Sequence, residues 1–212
     1  RILVAVGRRP NGNAIGADKK VNEYAYADQS YLPNLKRAES NTKKLPADWA
    51  VAEANEKKLV TIDGKPVTFK MMSEDDQADP KVGTTVAQKL VDAKVAAVVG
   101  HLNSGVTIPA SEIYNKAGIP VISGSATNPT LTERGLKTVF RTVGRDDQQG
   151  PAIASYIAGE LKAKKVAIID DKTAYGEGLA NEVEKTLKGS KVNIVERERT
   201  FRRRDPERLV VR

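Results

Sequence analysis

PKVGTTVAQKLVDAKVAAVVGHLNSGVT, residues 80–107, decides how this chain folds. Asp79 ahead of Pro80 offers an N-cap followed by a proline suited to the first helical position. Val82, Val86, Leu90 and Val91 then recur at helical spacing. The run VAAVV at 95–99 is short, continuous and apolar, the pattern of a strand buried on both faces of a parallel sheet. Upstream, PVTFKMM at 66–72 alternates Val67, Phe69 and Met71 toward one side. Strand, helix and strand in that order make one β-α-β unit.

The same rhythm continues outward. A second helix over 108–116 carries Ile113 and Tyr114, ends at Gly118 and leads into the strand IPVIS. TVFRTV at 138–143 predicts a further strand, 151–162 a helix opened by Pro151, VAIID at 166–170 a strand, about 179–187 a helix, and VNIV at 192–195 the start of one more strand. Alternating elements of this kind predict an α/β fold with Rossmann-like parallel sheets. The loops after its strands read GHLNSGVT (100–107), SGSATNPT (123–130) and DDKTAYGEG (170–178), rich in glycine and hydroxyl residues. In open parallel sheets ligands lie at the carboxyl ends of the strands, so these loops point to binding of a small polar molecule.

Composition narrows the function classes. The chain has 212 residues, enough for one large or two small domains, and no stretch is apolar for long enough to cross a bilayer. Without cysteine there is no disulfide, thiolate metal site or catalytic thiol. The net charge of +8 resides at the ends: residues 1–47 carry 9 basic and 4 acidic side chains and residues 191–212 carry 8 and 4, which leaves the centre at −1. Arg202, Arg203 and Arg204 could meet phosphates, but no basic patch is interleaved with aromatics, so the reading is a solvated run and no nucleic-acid partner. Glu74, Asp75, Asp76 and Asp79 lack the spacing of a calcium loop, and no metal site is assigned. His101, the single histidine, is read as packing at a strand end; with no nucleophile elbow or paired carboxylates there are no catalytic residues and the chain is read as a non-enzyme.

The stretch from SEDDQADPK through GRDDQQGP, residues 73–151, continuing in VAIIDDKTAYGEGLANEVEKTLK at 166–188, closely resembles the periplasmic leucine/isoleucine/valine-binding proteins of bacterial ABC transporters. The resemblance runs from about Ala50 to about Val195. It implies a type I periplasmic binding protein, with two Rossmann-like lobes that close over a branched-chain amino acid and deliver it to a membrane permease, with no cofactor. Residues 48–145 would form part of lobe one and 146–195 part of lobe two, with the hinge near Asp146. By the family pattern Ser104 and Thr127 contact the ligand's α-carboxylate and α-ammonium through hydroxyl and backbone groups, Ser125 contributes its carbonyl, Ala126 shares that loop, and Tyr175 approaches from the other lobe. The chemistry is consistent: a helix beginning near Thr107 would aim unpaired N–H groups and a positive dipole end at a carboxylate beside Ser104.

Both ends depart from this pattern. Residues 1–47 are read as a divergent segment without the family's first strand, and 196–212 as a divergent basic segment, so the fold is expected to be incomplete. Residues 1–21, RILVAVGRRPNGNAIGADKKV, resemble instead a stretch of the dihydrolipoamide dehydrogenases, which would imply an FAD- and NAD-dependent oxidoreductase. Neither a GxGxxG fingerprint nor a redox cysteine pair accompanies it. A ligand sensor or receptor domain of the same fold is the other alternative to transport.

Overall fold

A computed structural model describes residues 2–7 and 46–199. The chain divides into two compact units, one comprising residues 1–126 and 131–142 and the other residues 127–130 and 143–212. The main passage between them falls at Thr142 and Val143, where the sequence reading drew it at Arg145 and Asp146.

The first unit holds a five-stranded parallel sheet. Its strands are β1 (Ile2–Gly7), β4 (Phe69–Glu74), β5 (Ala97–Val99), β6 (Val121–Ser123) and β7 (Val139–Arg141), in the spatial order β4-β1-β5-β6-β7. Helix α1 (Pro46–Glu56) precedes a short hairpin, β2 (Thr61–Ile62) and β3 (Lys65–Pro66). Asp63 and Gly64 turn that hairpin with φ of 50° and 73°, the two positive values a type I′ turn requires. The strand expected at 66–72 therefore starts later, at Phe69, because Lys65 and Pro66 are drawn into the hairpin. Asn55 of α1 fixes this start, accepting from Phe69 N–H at 2.7 Å and donating to its carbonyl at 2.9 Å.

β1 corrects the expectation that residues 1–47 offer no first strand. Ile2–Gly7 pairs in parallel with β4 on one side and β5 on the other, so it occupies the middle of the sheet. A central strand of a parallel sheet reads as a plain apolar run without alternation, which is what ILVAV presents.

Helix α2 (Pro80–Asp92) forms as its sequence predicts: Asp79 caps it, accepting from Lys81 N–H at 2.8 Å and Val82 N–H at 3.1 Å, with Pro80 in the first turn. Val86, Ala87 and Leu90 of its apolar stripe are buried. Helix α3 (Ser104–Lys116) packs beside it, with Gly83 facing Val106 so closely that a Cβ would overlap it. Val98, Val121 and Val139 on one sheet face meet Leu90, Ala110, Tyr114 and Leu131 in a single core. Each fully buried large apolar side chain there contributes roughly 1.5–3 kcal/mol. α3 ends as expected, with Gly118 at φ 70° and Ile119 N–H returning to the Tyr114 carbonyl at 2.9 Å. A one-turn helix, α4 (Thr130–Glu133), was not anticipated.

In the second unit, α5 (Asp146–Gly159) and α6 (Ala174–Lys188) pack with two parallel strands, β8 (Lys165–Asp170) and β9 (Asn193–Arg199). Ala154, Ile168, Ala180, Val183, Leu187 and Val192 form its core. Gly150 of α5 lies directly against the α6 backbone at Glu182 and Val183. β9 continues through part of the segment expected to diverge, and its cations are paired: Arg197 with Asp170 at 2.5 Å and Glu184 at 3.2 Å, Arg199 with Glu177 at 2.7 Å. Arg202, Arg203 and Arg204 lie outside the described residues.

Three helices begin earlier than the sequence predicts. α3 was expected from Ile108, α5 from Pro151 and α6 from about Leu179; they start at Ser104, Asp146 and Ala174. Pro109 and Pro151 had been placed near the helix entrance, yet each sits at the sixth helical residue, where it costs one main-chain hydrogen bond. In α6 the cap is Thr173, whose hydroxyl accepts from Gly176 N–H at 2.9 Å, and the glycines at 176 and 178 are inside the first turns.

Candidate functional site

The order β4-β1-β5-β6-β7 runs second, first, third, fourth and fifth among the sheet's strands, so the order in which strands are added reverses between β1 and β5 while all stay parallel. Ligands of open parallel sheets lie beyond the carboxyl ends of the strands at such a switch point. The loop that leaves β5 there is Gly100 to Asn103, and it delivers Ser104 as the first residue of α3. Ser104 is buried, 1% exposed, and shares the first helical turn whose N–H groups and dipole favour a negative group. The earlier start of α3 thus brings the helix terminus to Ser104 itself rather than to Thr107.

β6 lies beside β5, and the loop that leaves it is bound to the first. Ser123 Oγ donates to the His101 carbonyl at 2.9 Å, and Ser125 Oγ donates to the Leu102 carbonyl at 2.7 Å. Ser123 Oγ also accepts from Ala126 N–H at 3.0 Å, and Arg141 Nη1 donates to the Ala126 carbonyl at 2.9 Å. Both main-chain groups of wholly buried Ala126 therefore hold the turn. The loops of Ser104, Ser125 and Ala126 are brought together in the first unit.

Thr127 and Tyr175 belong to the second unit. The Thr127 carbonyl accepts from Asp146 N–H at 3.0 Å, while its buried hydroxyl oxygen has no hydrogen-bond partner among the described residues. A buried hydroxyl left in that state is costly unless something else binds it. Asn128 donates to the Ala174 carbonyl at 2.7 Å, which ties residues 127–130 to the start of α6. Tyr175 is in the first turn of α6, not in a preceding loop, and is 42% exposed.

Sequence reasoning missed a second layer. His101 is buried, as its packing role requires, but it is hydrogen-bonded on both ring nitrogens: Nδ1 to Asp76 Oδ2 at 2.6 Å and Nε2 to the Tyr114 hydroxyl at 3.0 Å. Asp76 and Tyr114 are themselves fully buried. Burial first, and then the negative charge of Asp76, raise the Tyr114 pKa above the usual tyrosine value. The residues stand 25 and 13 positions from His101, a separation that no local motif reports.

A family model described as periplasmic binding protein matches residues 43–212, which include every candidate residue named above. The chain belongs to the periplasmic binding protein family. The match extends to residue 212, so residues 196–212, set apart by the sequence reading, fall within it. The chain is 47% identical over 152 residues to Leu/Ile/Val-binding protein homolog 1 of Brucella abortus, covering 71% of this chain and 40% of that protein. It is 50% identical over 121 residues to the leucine-specific-binding protein of Salmonella typhimurium, covering 57% of this chain and 33% of that one. Among solved structures, the branched-chain amino acid transporter substrate binding protein of Streptococcus pneumoniae in complex with isoleucine superposes with a TM-score of 0.71 at 29% identity, over 95% of this chain and 50% of that one. An ABC transporter substrate-binding protein of Desulfitobacterium hafniense in complex with leucine gives a TM-score of 0.64 at 28% identity, over 94% and 51%.

The chain therefore spans about two fifths of the length of the curated relatives, in keeping with the incomplete α/β fold expected. The family is a non-catalytic one. The likeness of residues 1–21 to the dihydrolipoamide dehydrogenases finds no support; Ile2–Gly7 is a strand of the first unit's sheet. Among the described residues no helix is long and apolar enough to cross a membrane.

Proposed function

We propose that this chain is part of a periplasmic solute-binding protein that captures leucine, isoleucine or valine for an ABC transporter permease. The observation that carries the reading is the buried Thr127 hydroxyl, which has no partner among the described residues and lies in the stretch resembling the amino-acid-binding proteins. The names of relatives at 47% and 50% identity support the choice of ligand. In this reading the ligand carboxylate is held by Ser104 and the first-turn N–H groups of α3. The ammonium is held by the carbonyl of Ser125 and the hydroxyl of Thr127, acceptors suited to a cation. Tyr175 is a further contact to the ligand.

Calorimetry on the full-length protein tests this. Thr127→Ala removes a hydrogen bond to a charged group and should weaken leucine binding by about 1–3 kcal/mol, roughly 5- to 150-fold. No heat with any of the three amino acids overturns the function, and unchanged affinity in the variant overturns the role of Thr127. Tyr175→Ala should also weaken binding, and equal affinity removes it from the site.

A further inference from the structure

His101 joins the two loops of the first unit through its backbone and is itself held through its ring. Its carbonyl accepts from Ser123 Oγ at 2.9 Å and from Thr107 Oγ1 at 3.2 Å, with Ser125 Oγ at 3.5 Å. Those donors come from the end of β6, from the loop after it and from α3. The ring is fixed at both edges by Asp76 and Tyr114, and it stacks on the Tyr114 ring with centroids 5.9 Å apart.

Asp76 is anchored in turn, its Oδ1 accepting from Ala78 N–H at 2.9 Å and its carbonyl from Asp79 N–H at 3.0 Å, the latter residue capping α2. A carboxylate can only accept, so Nδ1 carries the proton that faces Asp76. In the neutral ring Nε2 then accepts from the Tyr114 hydroxyl. With that tautomer, donation runs one way from Tyr114 through His101 to Asp76, and the contacts reach from α3 to the turn before α2. Its ring bonds tie the His101 residue to α3 and to the turn before α2, and its carbonyl ties the same residue to the hydroxyls of Thr107, Ser123 and Ser125.

We propose that Asp76, His101 and Tyr114 are positioning residues for the amino-acid site: they fix the spacing between Ser104 at the head of α3 and the Ser125 loop, and so set affinity for the ligand's charged α-groups. The proposal rests on the function proposed above. None of the three touches ligand in it; they act through the placement of Ser104.

A double-mutant cycle in the full-length protein, read by calorimetry with leucine, separates this from a general packing role. Asp76→Asn keeps the shape and removes the charge that fixes the ring, and should weaken binding about tenfold or more. Ser104→Ala should weaken it comparably. The further loss from Asp76→Asn should be clearly smaller in the Ser104→Ala background than in the wild type, because one of the groups Asp76 positions is already gone. Losses that multiply, or an Asp76→Asn protein that binds as the wild type does, overturn the proposal. Should Asp76→Asn fail to fold by circular dichroism, Tyr114→Phe takes its place in the cycle, with a smaller loss of about threefold and the same test of non-additivity. A wild-type protein that takes up none of leucine, isoleucine and valine overturns the proposed function, and this inference with it; wild-type binding with multiplying losses overturns the inference alone.

Discussion

Replacing Gly150 with alanine tests how closely α5 and α6 are packed. A Cβ at that position would lie 2.8 Å from the Glu182 carbonyl carbon and 2.9 Å from the Val183 nitrogen, and nearer still to the Glu182 Cβ. Two of the three obstacles are main-chain atoms, which cannot rotate aside; the helices must separate. Overpacking of this kind costs about 1–3 kcal/mol. Because main-chain atoms are in the way, the upper half of that range applies, about 2–3 kcal/mol; alanine's better helix propensity returns about 1 kcal/mol, leaving a net loss on the order of 1–2 kcal/mol and a fall in Tm of roughly 4–16 °C for a unit of this size. Gly159, at the end of the same helix, is the control: a Cβ there meets nothing within 4 Å, so Gly159→Ala gains up to about 1 kcal/mol. Urea denaturation followed by circular dichroism measures both. Opposite signs are expected, and a Gly150→Ala protein as stable as the wild type would refute the close approach of the two helices.

Leu187 is wholly buried in the second unit's core, so Leu187→Ala should cost about 2–5 kcal/mol in the same assay, and a loss under 1 kcal/mol would contradict its placement. The raised pKa of Tyr114 gives a pH signature. Above about pH 10 the unfolded chain releases the tyrosine proton while the folded protein keeps it, so the unfolded state binds fewer protons and stability falls as pH rises. Urea midpoints between pH 8 and 11 should show that added decline in the wild type and lose it in Tyr114→Phe; equal slopes would count against a buried neutral hydroxyl.

The α/β rhythm was legible because each signal was local. Asp79 and Pro80 announce α2, Gly118 ends α3, and VAIID is a strand with charged and polar neighbours on both sides. The positions of Pro109 and Pro151 misled for a physical reason: a proline tolerated at the helix entrance is also tolerated at the sixth residue when one hydrogen bond is given up. Thr173 was a readable cap, but Gly176 and Gly178 behind it lower helix propensity and hid the start of α6. Ser104, Ser125 and Ala126 were legible as residues following two successive strands, with roles supplied by family resemblance; that the two segments are neighbours comes from the pairing of β5 with β6. The layer beneath them was not legible. Asp76, His101 and Tyr114 meet only through the fold, and a lone histidine in sequence gives no indication that both of its nitrogens are bound.

The central place of β1 bears on how the first unit assembles. β4 and β5 are joined only through β1, which lies some sixty residues upstream of the nearer of them. Closing a loop of that length costs roughly 3–4 kcal/mol of chain entropy, and neither neighbour can complete its ladder beforehand. Made before β4 and β5, this strand is a seam that must wait for its partners; until it is sewn in, two open strand edges face solvent at the middle of the future sheet. Folding of the unit should be slow by comparison with its small size, and the interval before closure is when the nascent chain is most exposed to pairing with another molecule.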